Sequence, residues 1–334
     1  MRRGVVASVA GLTLVVAVLG VALGHARAET SSADAVRWVQ KMRSAPGRLQ
    51  FSGVVRVTWP AQGDHAKVSG LSVGITDDMG AIEVQTGQAR VYDQGARTYF
   101  KNRYGWSSAL VEPDVAKAPA PDHRWVLVTG RGPDVAARPT RLVEVRRRQG
   151  APAERLYLDT ATGLLLRRDV LDPNGRLERS LSFTSLDIAT VAPIHAPSGV
   201  STHDAQPLAS APSGYVAPST PGGYVLVARS RHPNGVELLY SDGLFTVSVL
   251  EQQGDLDWGA LPAQGVATTI DGTSARRYSL ASADVVVWER NDTVFTVVSD
   301  APRDVIDGLL TDLAPGRSAM EKVVDYVLGP FGWD

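Results

Sequence analysis

The sequence predicts an α+β protein of two units, each built mainly from antiparallel strands and each carrying a helix. Three observations predict it. Apolar residues recur with period two over many short runs bounded by turn residues. Helical spacing appears near the start of the chain and again after Pro302. Between Ala189 and Gly223 the composition falls to Ala, Pro, Ser, Gly and Thr. Such a stretch has too few large apolar side chains to order itself by burial and reads as a linker.

The first element is an export segment. Arg2 and Arg3 precede an apolar run from Val5 to Leu23, and Ala26-Arg27-Ala28 forms a small-x-small cleavage pattern. Residues 1–28 therefore read as a signal peptide with Glu29 first in the mature chain. The alternative is an uncleaved anchor, since a run of about twenty apolar residues also spans a bilayer. Either way the rest of the chain is expected outside the cytoplasm, in the periplasm or on the outer side of the cytoplasmic membrane.

A helix over Ser31–Arg43 follows, with Ser31 and Asp34 as a capping pair and Ala35, Trp38, Val39 and Met42 on one face. Phe51–Trp59 then alternates as a half-buried strand. Further strands are expected at Ala81–Val84, Ala89–Asp93, Thr98–Asn102, Trp125–Val128 and Arg141–Arg147, with Ala109–Pro121 as loop or short helix. The clearest signal is a meander. Strands Glu154–Leu158, Leu164–Leu171 and Leu177–Leu186 are joined by the turns Asp159-Thr160-Ala161-Thr162-Gly163 and Asp172-Pro173-Asn174-Gly175. The first unit spans residues 29–188, the linker 189–223 and the second unit 224–314. In the second unit strands are expected at Val225–Ala228, Val236–Ser241, Leu244–Glu251, Thr273–Leu280, Ala283–Arg290 and Thr293–Ser299. The closing helix carries Val305, Ile306, Leu309, Leu310 and Leu313, with Ser299 or Asp300 as its cap. Residues 315–334 form an amphipathic tail.

Composition excludes several classes. The formal charge of −1 argues against nucleic acid, because neutralising phosphates needs a basic surplus. No cysteine is present, which removes disulfides, thiolate nucleophiles and cysteine metal sites. Gly70-Leu71-Ser72-Val73-Gly74 matches the nucleophile-elbow pattern, but that motif needs a helix after the serine, and Ile75–Gly80 reads as strand end and turn. The histidines show no metal-ligand spacing. Asp77-Asp78 and Asp255 with Asp257 read as solvated turns, and Asn291-Asp292-Thr293 as turn chemistry. No catalytic residue, metal site or cofactor is expected. Arg141, Arg146, Arg148, Arg167 and Arg168 cluster on neighbouring strands; the ordinary reading is a solvated sheet face, the functional one a patch for an anion or acidic partner.

The run Tyr157-Leu158-Asp159-Thr160-Ala161-Thr162-Gly163-Leu164-Leu165-Leu166-Arg167-Arg168-Asp169, continuing through Asp172-Pro173-Asn174-Gly175 to Phe183, resembles the RseB/MucB family of sigma-factor regulatory proteins. Val39–Met42 leading to Phe51–Val54, Tyr240–Val249 and Val297–Pro302 are similar to further parts of that family. The resemblance implies a LolA-like curved antiparallel half-barrel with helices on its concave side, plus a smaller C-terminal α+β domain. It implies an extracytoplasmic regulator, not an enzyme, that binds the ectodomain of a membrane anti-sigma factor and senses a lipid or amphiphile. The long linker, the tail and much of Asp64–Pro121 depart from the family pattern.

A half-barrel leaves an apolar hollow that helices cover only in part. Phe51, Val55, Val57, Trp59, Ile82, Val84, Tyr99, Trp125 and Leu127 are its expected lining; most of them would equally pack as core. The alternative functions are a lipid or lipoprotein carrier using only that groove, and a hydrolase using Ser72.

Overall fold

The computed structural model describes residues 31–61, 64–78, 81–86, 89–94, 97–102, 105–110, 124–148, 150–191, 201–202, 206–208, 221–232, 235–263, 265–280 and 283–313. The export segment, the core of the 109–121 loop, most of the linker and the 315–334 tail lie outside them. Two sheets carry the architecture. The large one is formed by β1 (Gln50–Ala61), β2 (Asp64–Asp78), β3 (Ala81–Thr86), β4 (Ala89–Gln94), β5 (Arg97–Asn102), β6 (Gly105–Leu110), β7 (Trp125–Arg131), β8 (Thr140–Arg147), β9 (Pro152–Asp159), β10 (Leu165–Leu171), β11 (Leu177–Asp187) and β12 (Ser201–Thr202). Its order is β12-β6-β5-β4-β3-β2-β1-β11-β10-β9-β8-β7. All neighbours are antiparallel except β12, which runs parallel to β6. Because β12 and β7 end the order without meeting, the sheet is an open half-barrel rather than a closed one.

The small sheet contains β13 (Gln206–Pro207), β14 (Val225–His232), β15 (Gly235–Ser241), β16 (Thr246–Gln253), β17 (Val266–Ile270), β18 (Thr273–Ser279), β19 (Asp284–Arg290) and β20 (Thr293–Ser299), in the order β13-β14-β15-β16-β20-β19-β18-β17. Helix α1 (Ala33–Ser44) lies on β7 and β8, and α2 (Arg303–Leu313) follows β20. The fold class is the α+β expected.

Local chemistry explains the meander. Asp159 Oδ1 accepts the backbone N–H groups of Ala161 (2.9 Å) and Thr162 (2.8 Å), closing the turn before Gly163, whose φ of +84° suits glycine. Asp172 does the same for Asn174 and Arg176, at 2.8 and 2.7 Å. Gly53 sits where β1 meets β11 so closely that a Cβ would stand 2.4 Å from the Ser185 carbonyl oxygen. The ladder slips one residue just beyond it, between Val54 and Val55, as a bulge.

Three expectations are corrected. Ile75–Gly80 is not a strand end and turn: β2 continues through Asp78, paired with β1 on one side and β3 on the other. Asp77 is consequently fully buried rather than solvated, and Asp78 accepts a 2.6 Å bond from Gln50 Nε2. Ser31 does not cap α1. The Ncap is Ser32 without a side-chain bond, while Ser31 Oγ accepts the N–H of Leu127 at 3.1 Å and the Ser32 N–H donates to the Leu127 carbonyl. That hydroxyl therefore staples the start of α1 to edge strand β7. Within the stretch read as linker, Ser201–Thr202 and Gln206–Pro207 each pair with a sheet, and Pro221 is buried.

Two apolar cores result. The larger is continuous through both sheets: Ala35 and Val39 of α1, Leu127, Val143 and Leu158 of the large sheet, and Phe245, Trp288 and Ile306 beyond it. The smaller joins Phe51, Val55 and Val57 to Leu166 and Phe183.

Candidate functional site: a charged seam between the sheets

Within a strand, neighbouring side chains point to opposite faces, and β8–β11 turn one row of arginines toward the small sheet. Arg147 lays its guanidinium across Asp304 of α2 at 2.9 and 2.7 Å, and its remaining N–H groups reach the carbonyls of Ala151, Pro152 and Leu171. Arg168 sits between Glu154 and Asp300, bonded to the first and 2.9 Å from the second, with its head over the ring of Phe245. Arg179, itself buried, meets Asp284 at 3.0 Å and donates to the carbonyls of Asp300 and Ala301. Arg124 and Arg43 add bonds to the carbonyls of Gly222 and Gly243.

The small sheet answers from its turns. Asp242 is buried; its Oδ1 accepts the N–H of Leu244 and Phe245, and its Oδ2 takes the Trp125 indole N–H at 2.7 Å. That geometry folds Phe245 back onto Trp125, edge to face at 5.3 Å. Asp300 Oδ1 holds the Thr246 N–H at 2.7 Å while Oδ2 faces Arg168. Cations thus come from the large sheet and α1, and carboxylates and carbonyls mostly from the small sheet and α2.

Burial sets the protonation preferences. It pushes the Glu154 and Asp242 carboxyls above the ordinary carboxylate value, with Arg168 opposing it at the first and the Phe245 N–H and Trp125 at the second. Burial also works against the charge of Arg168, but Glu154 and Asp300 outweigh it and hold the guanidinium above its usual value. Arg43 is pulled below its usual value by burial, against the attraction of Asp242.

A cavity of about 290 Å³ opens at this seam, lined by Arg124, Trp125, Arg147 and Gly222 and, on α2, by Asp304, Val305, Gly308 and Leu309. Among the described residues its one carboxylate, Asp304, is bound to Arg147, and none of the lining side chains is a nucleophile. Ser72 lies exposed in mid-strand on β2, opposite Arg56, with no helix following among the described residues. Asp255 and Asp292, both exposed, and half-buried Glu289 of β19 bring carboxylate oxygens within 4.8 Å of one another, and Glu289 already holds the Leu256 N–H.

The residues expected to line a groove are divided. Phe51, Val55 and Val57 are buried in the smaller core with Trp59 against it, whereas Trp125 and Leu127 belong to the larger core. Ile82 and Val84 fall on β3 and Tyr99 on β5, where side chains lie outside the described set. The expected arginine cluster is divided too. Arg168 enters the seam; Arg141 bonds Asp34 of α1 at 2.7 Å; Arg146 bonds Glu144 and Arg167 bonds Asp169; Arg148 is exposed. Sequence reading missed Arg124, Arg179, Asp242 and Asp304. The available signal was a charge inside an apolar strand (Glu154, Arg168, Arg179) together with the repeated Ser-Asp pair at strand ends, Ser241-Asp242 and Ser299-Asp300.

Fold and seam together define a two-sheet protein closed on itself by buried charge. No family model matches the chain, and no curated protein matches it. Solved structures do. The complex of MucA and MucB from Pseudomonas aeruginosa aligns at 20% identity over 86% of this chain and 100% of that chain, with a TM-score of 0.48. MucB by itself aligns at 19% identity over 84% and 98%, with a TM-score of 0.49. A LolA superfamily protein from Nitrosomonas europaea aligns at 8% identity over 79% and 93%, with a TM-score of 0.21. At these identities the likeness is one of fold.

Proposed function

We propose that this protein is an extracytoplasmic regulator that binds the ectodomain of a membrane anti-sigma factor. The observation that carries the reading is the location of the residues that resemble the RseB/MucB family. Those runs converge on the seam: Arg168 from Tyr157–Asp169, Asp242 and Phe245 from Tyr240–Val249, and Asp300 from Val297–Pro302. Shared residues at a buried joint maintain a fixed relation between units, which a platform for a partner chain requires. The division into units 29–188 and 224–314 belongs to the same reading, as does a place outside the cytoplasm behind the export segment. A lipid or amphiphile signal would enter at the seam cavity, whose apolar floor is Trp125, Val305 and Leu309.

The test is capture of partners from detergent-solubilised membranes on the immobilised full chain. The expected result is recovery of a single-span membrane protein with an anti-sigma domain on its other side. Recovery of lipid alone, retained after deletion of residues 224–334, would assign the carrier function instead.

A further inference from the structure

An open sheet leaves unpaired backbone groups on both of its edge strands, and proteins commonly blunt such edges by keeping them short or covering them. β12 and β13 are edges of two residues each. β7 is bonded at Leu127 by Ser31 and Ser32. β17 instead ends the small sheet with five residues, Val266-Ala267-Thr268-Thr269-Ile270, that carry no charge, proline or bulge. Among the described residues nothing bonds its outer side. Asp271-Gly272 closes the hairpin to β18 as a two-residue turn, so Ile270 and Thr273 form a hydrogen-bonded pair. Bonded pairs alternate along an antiparallel ladder, which leaves the N–H and C=O groups of Ala267 and Thr269 pointing out of the sheet. Val266, Thr268 and Ile270 share the face of the apolar core, since Thr268 stands opposite Ala275 and, one strand further, Trp288. Ile270 is buried there, but Val266 is 46% exposed.

We infer that β17 pairs antiparallel with β17 of a second copy of this chain, joining two small sheets across a two-fold axis. The register that uses the whole strand centres on Thr268. It sets Ala267 opposite Thr269 of the second copy, where each pair exchanges both backbone bonds. It sets Val266 opposite Ile270, so each exposed valine gains an apolar neighbour. It also sets Asp271, which is exposed, opposite Gly265, against which the stem of Arg276 lies. Each copy's aspartate thus approaches the other's guanidinium, and no like charges come opposite one another along the strand. A foreign extended segment would satisfy the backbone groups alone, whereas a second copy answers the side chains as well. A strand of five residues makes a small interface, with a Kd on the order of tens of micromolar.

The chain has no cysteine, so single introduced cysteines report the pairing without background. Thr268 meets its own copy on the axis as a non-hydrogen-bonded pair, with Cα atoms about 4.5 Å apart and inside disulfide range. Thr269 is more exposed, but its copy lies two residues out of register, beyond the roughly 7 Å a disulfide spans. The experiment is diamide oxidation of the purified full chain carrying Thr268→Cys or Thr269→Cys, read as covalent dimer on a denaturing gel. Thr268→Cys should cross-link and Thr269→Cys only marginally. Chance collision, or association through the export segment that both chains carry, would favour the exposed Thr269→Cys instead. Ala267→Pro added to Thr268→Cys removes only an outward N–H, which an edge strand tolerates, and should lower the yield about ten-fold. Should that proline variant not fold, the two cysteines decide between them. Equal yields from both cysteines, or no cross-link at Thr268→Cys, would overturn the inference. Cross-linking that appears only once residues 315–334 are deleted would overturn it as well and give the edge to that tail. β17 lines no part of the seam cavity, so each of these results leaves the anti-sigma reading standing.

Discussion

Asp159 shows how one side chain can set both a turn and a pH response. Its Oδ1 organises the turn to Gly163 and its Oδ2 bonds Arg138. Burial raises its pKa, but Arg138 and Thr162 outweigh that and hold the carboxyl below its ordinary 3.8. A carboxyl depressed in the folded state releases its proton more readily there than in the unfolded chain. The stability it contributes is therefore complete above about pH 4 and lost as pH falls below 3.8 toward its folded value. Asp159→Asn should destabilise the protein at neutral pH and flatten the acid limb of its stability profile. Urea midpoints measured from pH 2.5 to 7 check this, and a variant whose acid limb keeps the wild-type slope would refute it.

Among the elements, the hairpin from Val135 to Arg138 is the one with unfavourable turn residues. Ala136 and Ala137 stand at φ +49° and +59°, a left-handed pair that two-residue hairpins usually fill with asparagine and glycine. Ala136 packs on the smaller core, while Ala137 is exposed. Ala137→Gly should therefore raise stability by about 0.5–1 kcal/mol, read as a higher melting temperature; a lower one would count against the turn geometry. Strand β20, bounded by Asn291-Asp292 and Ser299, was legible to the residue, because a run of β-branched and aromatic residues lies between strong turn signals. Strand β2 was not: Gly70, Gly74 and the Asp77-Asp78 pair blur its period, and its pairing partners supply the order its own sequence lacks. β17 is short and largely exposed, so no apolar alternation marks it. The arginine cluster was legible as composition. Its division was legible only in part: alternation turns adjacent Arg167 and Arg168 to opposite faces, but which of the two meets the small sheet is set by tertiary contacts such as Arg168 with Asp300.

Across the whole molecule the seam and the larger core couple the two sheets. Phe245 and Ile306 pack in the same cluster as Leu127 and Val143, so neither sheet can lose its order without exposing the other's apolar residues. Calorimetry should give one unfolding transition for the wild type. Arg147→Ala combined with Arg179→Ala removes the guanidinium from part-exposed Asp304 and the nearer of two from buried Asp284, which keeps Arg303 at 3.8 Å, and takes the Arg179 bond from the buried Ala301 carbonyl; the loss therefore falls below the about 3–5 kcal/mol of a fully stranded buried charge. The expected result is two resolved transitions, and a single retained transition would show that apolar packing alone joins the halves. The small sheet, moreover, is polar along its length. Ser241–Phe245, the strand ends Ser279-Leu280 and Ala283-Asp284, and Ser299–Ala301 crowd one end of its strands, whereas Asp271-Gly272 and Asn291-Asp292 reverse the chain at the other. The turns at that second end are exposed, so a fluorophore or affinity handle grafted there would stand a strand's length away from the seam.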